Sequence, residues 1–287
     1  MPRFLRVLIG LAANLPLALL HAVGTVLGWA IYGMSPNYRR QLLANMAQAG
    51  LGDVRFRREA IAAAGRMIAE LPALWFRPHE AVVALVREVQ GVEAAYAAHD
   101  RGDAILFLTP HMGCFEIAAQ YLALQARARN LLVTVLYRSS KLGWLEPLMR
   151  EGRSRANVRL ASADVSGVRE LFAALRRKEP VGMLPDQVPG EGEGEWADFF
   201  GRPAYTMTLA ARLAERKGTA CFLAYARRLP RGAGYRIVLR PFPEIRPGES
   251  ATRHLNRALE DLVRECPGQY LWSYNRYKTP KGAKAAQ

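Results

Sequence analysis

Apolar positions fall into three regimes along this 287-residue chain. From Phe4 to Tyr32 they run almost without interruption, with Arg6 the only charge inside the run and Arg3 just before it. Over residues 36–76 they recur at helical spacing, as Tyr38, Leu42, Leu43 and Met46 and then as Ile61, Met67, Ile68 and Leu71. Pro72 and Pro78 interrupt this pattern, and a shorter helical stretch covers Glu80–Val86.

Beyond it, short apolar runs bounded by turn residues alternate with helical patterns. The runs Ala104–Leu108, Leu131–Tyr137, Val158–Leu160, Val181–Leu184, Thr219–Ala226 and Tyr235–Arg240 predict strands. Helices are predicted over Gly113–Gln125, Leu142–Arg153, Asp164–Arg177 with Asp164 as N-cap, Thr206–Lys217 ended by Gly218, and Ser250–Cys266. The alternation predicts an α/β fold in which helices flank a largely parallel mixed sheet. The chain divides into an N-terminal membrane anchor, residues 1–35, and a domain over 36–287 whose first part, 36–86, is helical.

The first run is long enough to cross a hydrocarbon core, which takes roughly 20 apolar residues. It lacks the small-residue cleavage site of a signal peptide, so an uncleaved anchor with the rest of the chain in the cytoplasm is expected. Asn14, Pro16 and His21 interrupt it, and arginines flank both ends, Arg3 and Arg6 before and Arg39 and Arg40 after. Spanning and in-plane placements both satisfy that pattern.

Charge adds a partner class. The net charge is +15, and arginine supplies 34 of the 40 basic residues. Such a surface attracts phosphates, whether of nucleic acid, anionic lipid or an acidic carrier protein. No nucleic-acid-binding module is present, and that reading leaves the apolar N-terminus unexplained. Arg227, Arg228 and Arg231 face either phosphate or solvent, with solvent the simpler expectation for each taken singly. Cys114, Cys221 and Cys266 are too scattered for a disulfide framework and suit a reducing compartment. The five histidines form no zinc-binding pair, and no G-x-S-x-G elbow supports a serine hydrolase.

Three polar residues follow predicted strands directly: His111, Arg138 and Asp186. In a parallel sheet the carboxyl ends share one edge, where ligands of open α/β folds bind. His111 also opens an H-x-x-x-x-E pattern with Glu116. Five helical steps turn by about 500°, so the pair would not share a face of a regular helix. They meet if His111 lies in the turn before the helix, which Gly113 permits. Glu116 is then expected to accept the Nδ1 proton and leave Nε2 as a general base, with backbone donors at the helix start stabilising an oxyanion. Such a dyad suits acyl transfer to a hydroxyl. A Cys114–His111 pair forming an acyl-enzyme is the rival, against a Cys114 that is simply a small buried side chain.

The segment Pro110-His111-Met112-Gly113-Cys114-Phe115-Glu116 resembles the catalytic block of the lysophospholipid acyltransferase superfamily. More closely, the chain resembles the bacterial lipid A biosynthesis acyltransferases, the late lauroyl/myristoyl transferases. The matching blocks run in order: the apolar N-terminus, H-x-x-x-x-E, Tyr137-Arg138, Gly182 to Gln187, Phe199 to Ala204, and Gln269 to Trp272 running into Asn275 to Lys278. The resemblance implies transfer of a fatty acyl chain from acyl carrier protein to a hydroxyl of a phosphorylated, glucosamine-based lipid A precursor. It places the reaction at the cytoplasmic face of the inner membrane of a Gram-negative bacterium, with no metal or organic cofactor. By position His111 is the general base and Glu116 its partner, while Arg138, Asp186 and Gln187 bind substrate. The C-terminal block departs from the family at Trp272-Ser273-Tyr274-Asn275, where many members carry histidine and arginine. Another membrane lipid as acceptor, or water in a thioesterase, keeps the same chemistry. Between Glu191 and Trp196 a Gly-rich stretch reads either as a flap near the acyl chain or as a surface loop whose aromatic residues Trp196, Phe199 and Phe200 tuck into the core.

Overall fold

A computed structural model describes residues 3–140, 142–154 and 157–283, the first six of these by backbone alone. The helical N-terminal part comprises α1 (Arg3–Asn14), α2 (Leu17–Met34), α3 (Pro36–Gln48), α4 (Val54–Ala69), α5 (Leu71–Phe76) and α6 (His79–Val83). Ser35 and Asp53 cap α3 and α4 through side-chain oxygens that accept backbone N–H bonds. Pro72 does not break the pattern. It sits in the first turn of α5, where its missing N–H leaves no bond unmade.

The α/β part follows as β1 (Val86–Gln90), α7 (Val92–Asp100), β2 (Ala104–Leu108), α8 (Phe115–Arg127), β3 (Val133–Tyr137), α9 (Glu146–Arg153), β4 (Val158–Ser162), α10 (Val165–Arg176) and β5 (Val181–Met183). A hairpin, β6 (Gly194–Phe199) and β7 (Arg202–Met207), precedes α11 (Thr208–Ala214), β8 (Thr219–Arg228), β9 (Tyr235–Pro241) and α12 (Ala251–Glu265). Seven strands form one sheet in the order β1-β9-β8-β2-β5-β3-β4, parallel except for the β8–β9 pair. This is the largely parallel mixed sheet that the alternation predicts.

Central strands carry apolar residues on both faces, as a sheet covered on both sides requires. Along β2, Leu106 and Leu108 join the core under α10, α11 and α12, while Ile105 and Phe107 join the core under α5, α7 and α8. Every β2 residue is buried.

Three strands and a helix depart from the sequence expectation. The stretch read as helix into Val86 is the short α6, and β1 then pairs with β9 at the sheet edge. α7 follows it as a further helix. The Phe199–Ala204 block is a hairpin whose two-residue turn, Phe200 and Gly201, has φ of 50° and 72°. Phe199 and Phe200 are buried against Trp272 and α12, and Glu260 accepts the Phe200 N–H at 2.9 Å. Of the two readings of that region, the one with its aromatic residues in the core describes the hairpin; Trp196 is half-buried beside Tyr205.

Candidate active site

β2, β5 and β3 are neighbours in the sheet, so His111, Asp186 and Arg138 leave it at one carboxyl edge. The β2–β5 register runs through Leu108 and Met183, and the Thr109 N–H continues it to the Met183 carbonyl at 3.0 Å. His111 and Asp186 therefore emerge side by side.

The turn between β2 and α8 is held on two sides. The Cys114 N–H donates to the Ala226 carbonyl of β8 at 2.7 Å, and the Gly113 N–H to Gln269 at 2.8 Å. The Leu271 N–H donates to the His111 carbonyl at 2.9 Å. Gly113 has a φ of 56°, and a Cβ there would lie 2.0 Å from the Ala226 carbonyl oxygen. Only glycine fits both the left-handed backbone and that close approach.

Within this turn the partner of His111 is Asp186, not Glu116. His111 Nδ1 donates to Asp186 Oδ1 at 2.8 Å, and the His111 backbone N–H donates to Oδ2 at 2.9 Å. A carboxylate at Nδ1 requires the proton there, so Nε2 is the acceptor nitrogen. It faces the side-chain amide of Gln187 at 3.2 Å. Asp186 is buried, and burial alone would raise its carboxyl. The charge of His111 and the bonds from its ring and backbone outweigh that and hold the carboxyl below its ordinary range. Beneath it the Tyr270 hydroxyl is pushed well up, by burial first and then by the Asp186 charge.

Glu116 lies in the first turn of α8 with its carboxylate committed elsewhere. Arg153 of α9 holds it through Nε, at 3.0 and 3.1 Å from the two oxygens, and through a further Nη2 bond. Trp75 Nε1 donates to it at 3.3 Å. The expected Glu116 bond to Nδ1 fails for a geometric reason. The turn sends the imidazole toward β5, while the first turn of α8 faces α5 and α9. Arg153 and Trp75 carry no motif signal. Only the packing of α5 and α9 against α8 brings them to the site.

His111, Glu116, Arg138, Arg153 and Gln187 all line one cavity of about 310 Å³. That is the size range of small-ligand sites. Apolar side chains make much of the remaining wall, among them Ala119, Val135, Met149, Val158 and Leu160. Arg138 is exposed at this cavity and forms no ion pair among the described residues. The backbone donors of the turn before α8 are engaged. His111, Met112, Gly113 and Cys114 all give their N–H groups to bonds within the protein, because the turn is a docked segment. Gln187 and Arg138 bring side-chain donors to the cavity wall.

Cys114 is 1% exposed, and burial pushes its thiol well up, with the nearby Glu70 carboxylate adding to the effect. A thiol so protonated suits a small core residue. Glu70 in turn pairs with Arg228 and Tyr235, with Arg228 Nε donating at 3.0 Å. Arg228 is 3% exposed, so the solvent-facing expectation fails for it, while Arg227 and Arg231 are exposed. Arg276 of the departing C-terminal block is buried too. It donates to Tyr205, Thr206 and Asn256, tying the β6–β7 hairpin to α12. Among the described residues no three His, Cys, Asp or Glu side chains gather as metal ligands do.

The family profile described as bacterial lipid A biosynthesis acyltransferase matches residues 4–279. The lipid A biosynthesis lauroyltransferase of Escherichia coli (strain K12) is 26% identical over 76% of this chain and 70% of its own length. The palmitoleoyltransferase of the same strain is 25% identical over 75% and 69%, and its myristoyltransferase 24% identical over 85% and 76%. With the profile spanning both the N-terminal helices and the His111 site, the chain belongs to the bacterial lipid A biosynthesis acyltransferase family.

Proposed function

We propose that this protein transfers a fatty acyl chain from acyl carrier protein to a hydroxyl of a lipid A precursor, a late acylation in lipopolysaccharide biosynthesis. The observation that carries the reading is His111, with Nδ1 tied to the buried Asp186 and Nε2 turned to the cavity. The acceptor hydroxyl displaces the Gln187 amide from Nε2 and gives up its proton there as its oxygen attacks the thioester carbonyl. Asp186 stabilises the imidazolium. The C–S bond then breaks, and the imidazolium returns the proton to the leaving thiolate. Gln187, once displaced from Nε2, donates to the negative charge on the former carbonyl oxygen.

Glu116 takes part by fixing Arg153 in the cavity wall rather than by orienting the imidazole. The apolar side chains between β3, β4, α8 and α9 receive the acyl chain, and Arg138 meets a phosphate of the acceptor. The basic surface suits both that acceptor and an acidic carrier protein. In this reading the protein works at the cytoplasmic face of the inner membrane, with the N-terminal helices as its membrane element.

Mass spectrometry of lipid A from cells with and without the gene tests this. A missing secondary acyl chain is expected, restored by the wild-type gene and not by His111→Ala. Restoration by His111→Ala would end the general-base mechanism. Cys114→Ala is expected to restore the chain fully.

A further inference from the structure

Large apolar side chains are exposed along one line of α2. Leu19, Val23, Val26 and Met34 follow one another at helical spacing or its multiples, and Leu11 of α1 and Leu15 at the α1–α2 junction are exposed as well. The opposite side of α2 is buried. There Gly24 and Gly28 pack on Gly65 of α4 so tightly that a Cβ on Gly65 would lie 1.9 Å from the Gly24 carbonyl oxygen. Thr25, near the middle of α2, accepts a bond from Arg66 Nε at 2.9 Å. His21 Nε2 lies 3.1 Å from Glu70, the partner of Arg228.

This packing decides between two membrane placements. The 18 residues of α2 span about 27 Å, close to a hydrocarbon core of roughly 30 Å. Upright, its midpoint would sit at the bilayer centre and carry the Arg66 guanidinium there, a placement membranes penalise heavily. Lying flat, α2 keeps Arg66 on the protein side and offers only the apolar line to lipid. The ends of that line are basic. Arg39 and Arg40 follow it, both exposed, and the exposed Arg231 precedes Gly232, whose backbone rests on Ala18.

The cavity is adjacent. Arg77, directly after α5, donates to the carbonyls of Ala13 and Leu15 at the α1–α2 junction. Trp75 of α5 touches both Glu116 and Gly152 of α9. Between the cavity residues Ser139 and Met149 the chain exposes Leu142 and Trp144, by 53% and 54%. An exposed tryptophan is a side chain that membrane interfaces favour.

We propose that this face seats on an anionic bilayer as one surface. α1 and α2 lie in the plane of the interface, Leu142 and Trp144 insert beside the cavity mouth, and a lipid acceptor reaches His111 without leaving the headgroup layer. The seating does not depend on which lipid is acylated, so it can be tested apart from the proposed reaction.

The test uses full-length protein bound to phosphatidylcholine vesicles, with and without phosphatidylglycerol, carrying lipids brominated at different chain depths. The quenching lost in Trp29→Phe and in Trp144→Phe reports the depth of each residue. Both are expected to be quenched most by the shallowest bromines, with binding strengthened by phosphatidylglycerol. Strongest quenching of Trp29 by bromines near the chain ends would place α2 across the bilayer and overturn the proposal. Absence of quenching together with a dimer in light scattering would assign the face to a second copy of the chain, and would overturn it equally. As a second arm, Leu142→Ser/Trp144→Ser is expected to slow acylation of an acceptor in vesicles about tenfold while leaving acylation in detergent micelles unchanged. Equal rates in vesicles would remove Leu142 and Trp144 from the membrane surface, whereas no transfer by the wild type in either setting would count against the reaction and not against the seating.

Discussion

Asp186 grips His111 twice, at the imidazole Nδ1 and at the backbone N–H, from 75 positions further along the chain. One carboxylate therefore sets both the tautomer of the ring and the position of the residue that carries it. Glu116, only five residues away, is engaged with Arg153 and Trp75. The short-range motif and the hydrogen-bonded pair are thus different pairs of residues.

Asp186→Asn keeps the shape but removes the charge that stabilises an imidazolium. The expected result is a fall in kcat of about three orders of magnitude or more with little change in KM. Initial rates over a range of donor and acceptor concentrations check this. A kcat within tenfold of the wild type would remove Asp186 from the mechanism.

Glu116→Ala leaves Arg153 without its carboxylate in a side chain that is only 25% exposed. A loss of about 2 kcal/mol in stability is expected, accompanied by lower activity as the cavity wall loosens. The double change Glu116→Ala/Arg153→Met should cost less than the sum of Glu116→Ala and Arg153→Met, by about 1 kcal/mol or more. Denaturant melts of the four proteins measure that coupling, and strict additivity would show that the pair acts independently.

Arg138 is exposed and makes no ion pair among the described residues, so removing it should leave the fold alone. Arg138→Ala is expected to raise the KM for a phosphorylated acceptor roughly tenfold, with an effect that shrinks as salt rises. The melting temperature should not move. An unchanged KM at low salt would take the phosphate contact away from Arg138.

Glu70 supplies a pH dependence of stability. Burial would raise its carboxyl, yet Arg228 and His21 bring it down to about 2 from an ordinary 4.5. A depressed folded-state value stabilises the protein above the unfolded value, and that contribution fades as pH falls from about 4.5 toward about 2. Wild-type stability should therefore decline across this window, and Glu70→Gln should be less stable at neutral pH but show a flatter acid limb. Equal slopes in urea melts at several acidic pH values would contradict the assignment.

Much of this architecture was readable without coordinates. The apolar run Ala104–Leu108 is β2, residue for residue, because a strand buried on both faces has no polar position to blur it. The N-cap at Asp164 follows from side-chain chemistry that acts over three residues. β1 carries no strand signal because Val86-Arg87-Glu88-Val89-Gln90 is a half-exposed edge strand with two apolar positions. The β6–β7 hairpin was hidden by its polar alternation and by a turn that places Phe200 at positive φ, an uncommon position for an aromatic residue.

For the site, local sequence determined what local chemistry can determine. It set His111 after a buried strand, glycine at a turn that tolerates nothing larger, and Arg138 and Asp186 after neighbouring strands. Which carboxylate meets the imidazole was decided only by tertiary structure. Strand order brings β5 beside β2, and helix packing brings Arg153 and Trp75 to Glu116. The same holds for the N-terminus. Its apolar length is a property of the sequence, but whether that length stands or lies depends on α4, whose Arg66 reaches the middle of α2. Hydrogen bonds and ion pairs form between groups that are close in space, and the chain distance between them carries no information about that closeness until the sheet and its helices have assembled.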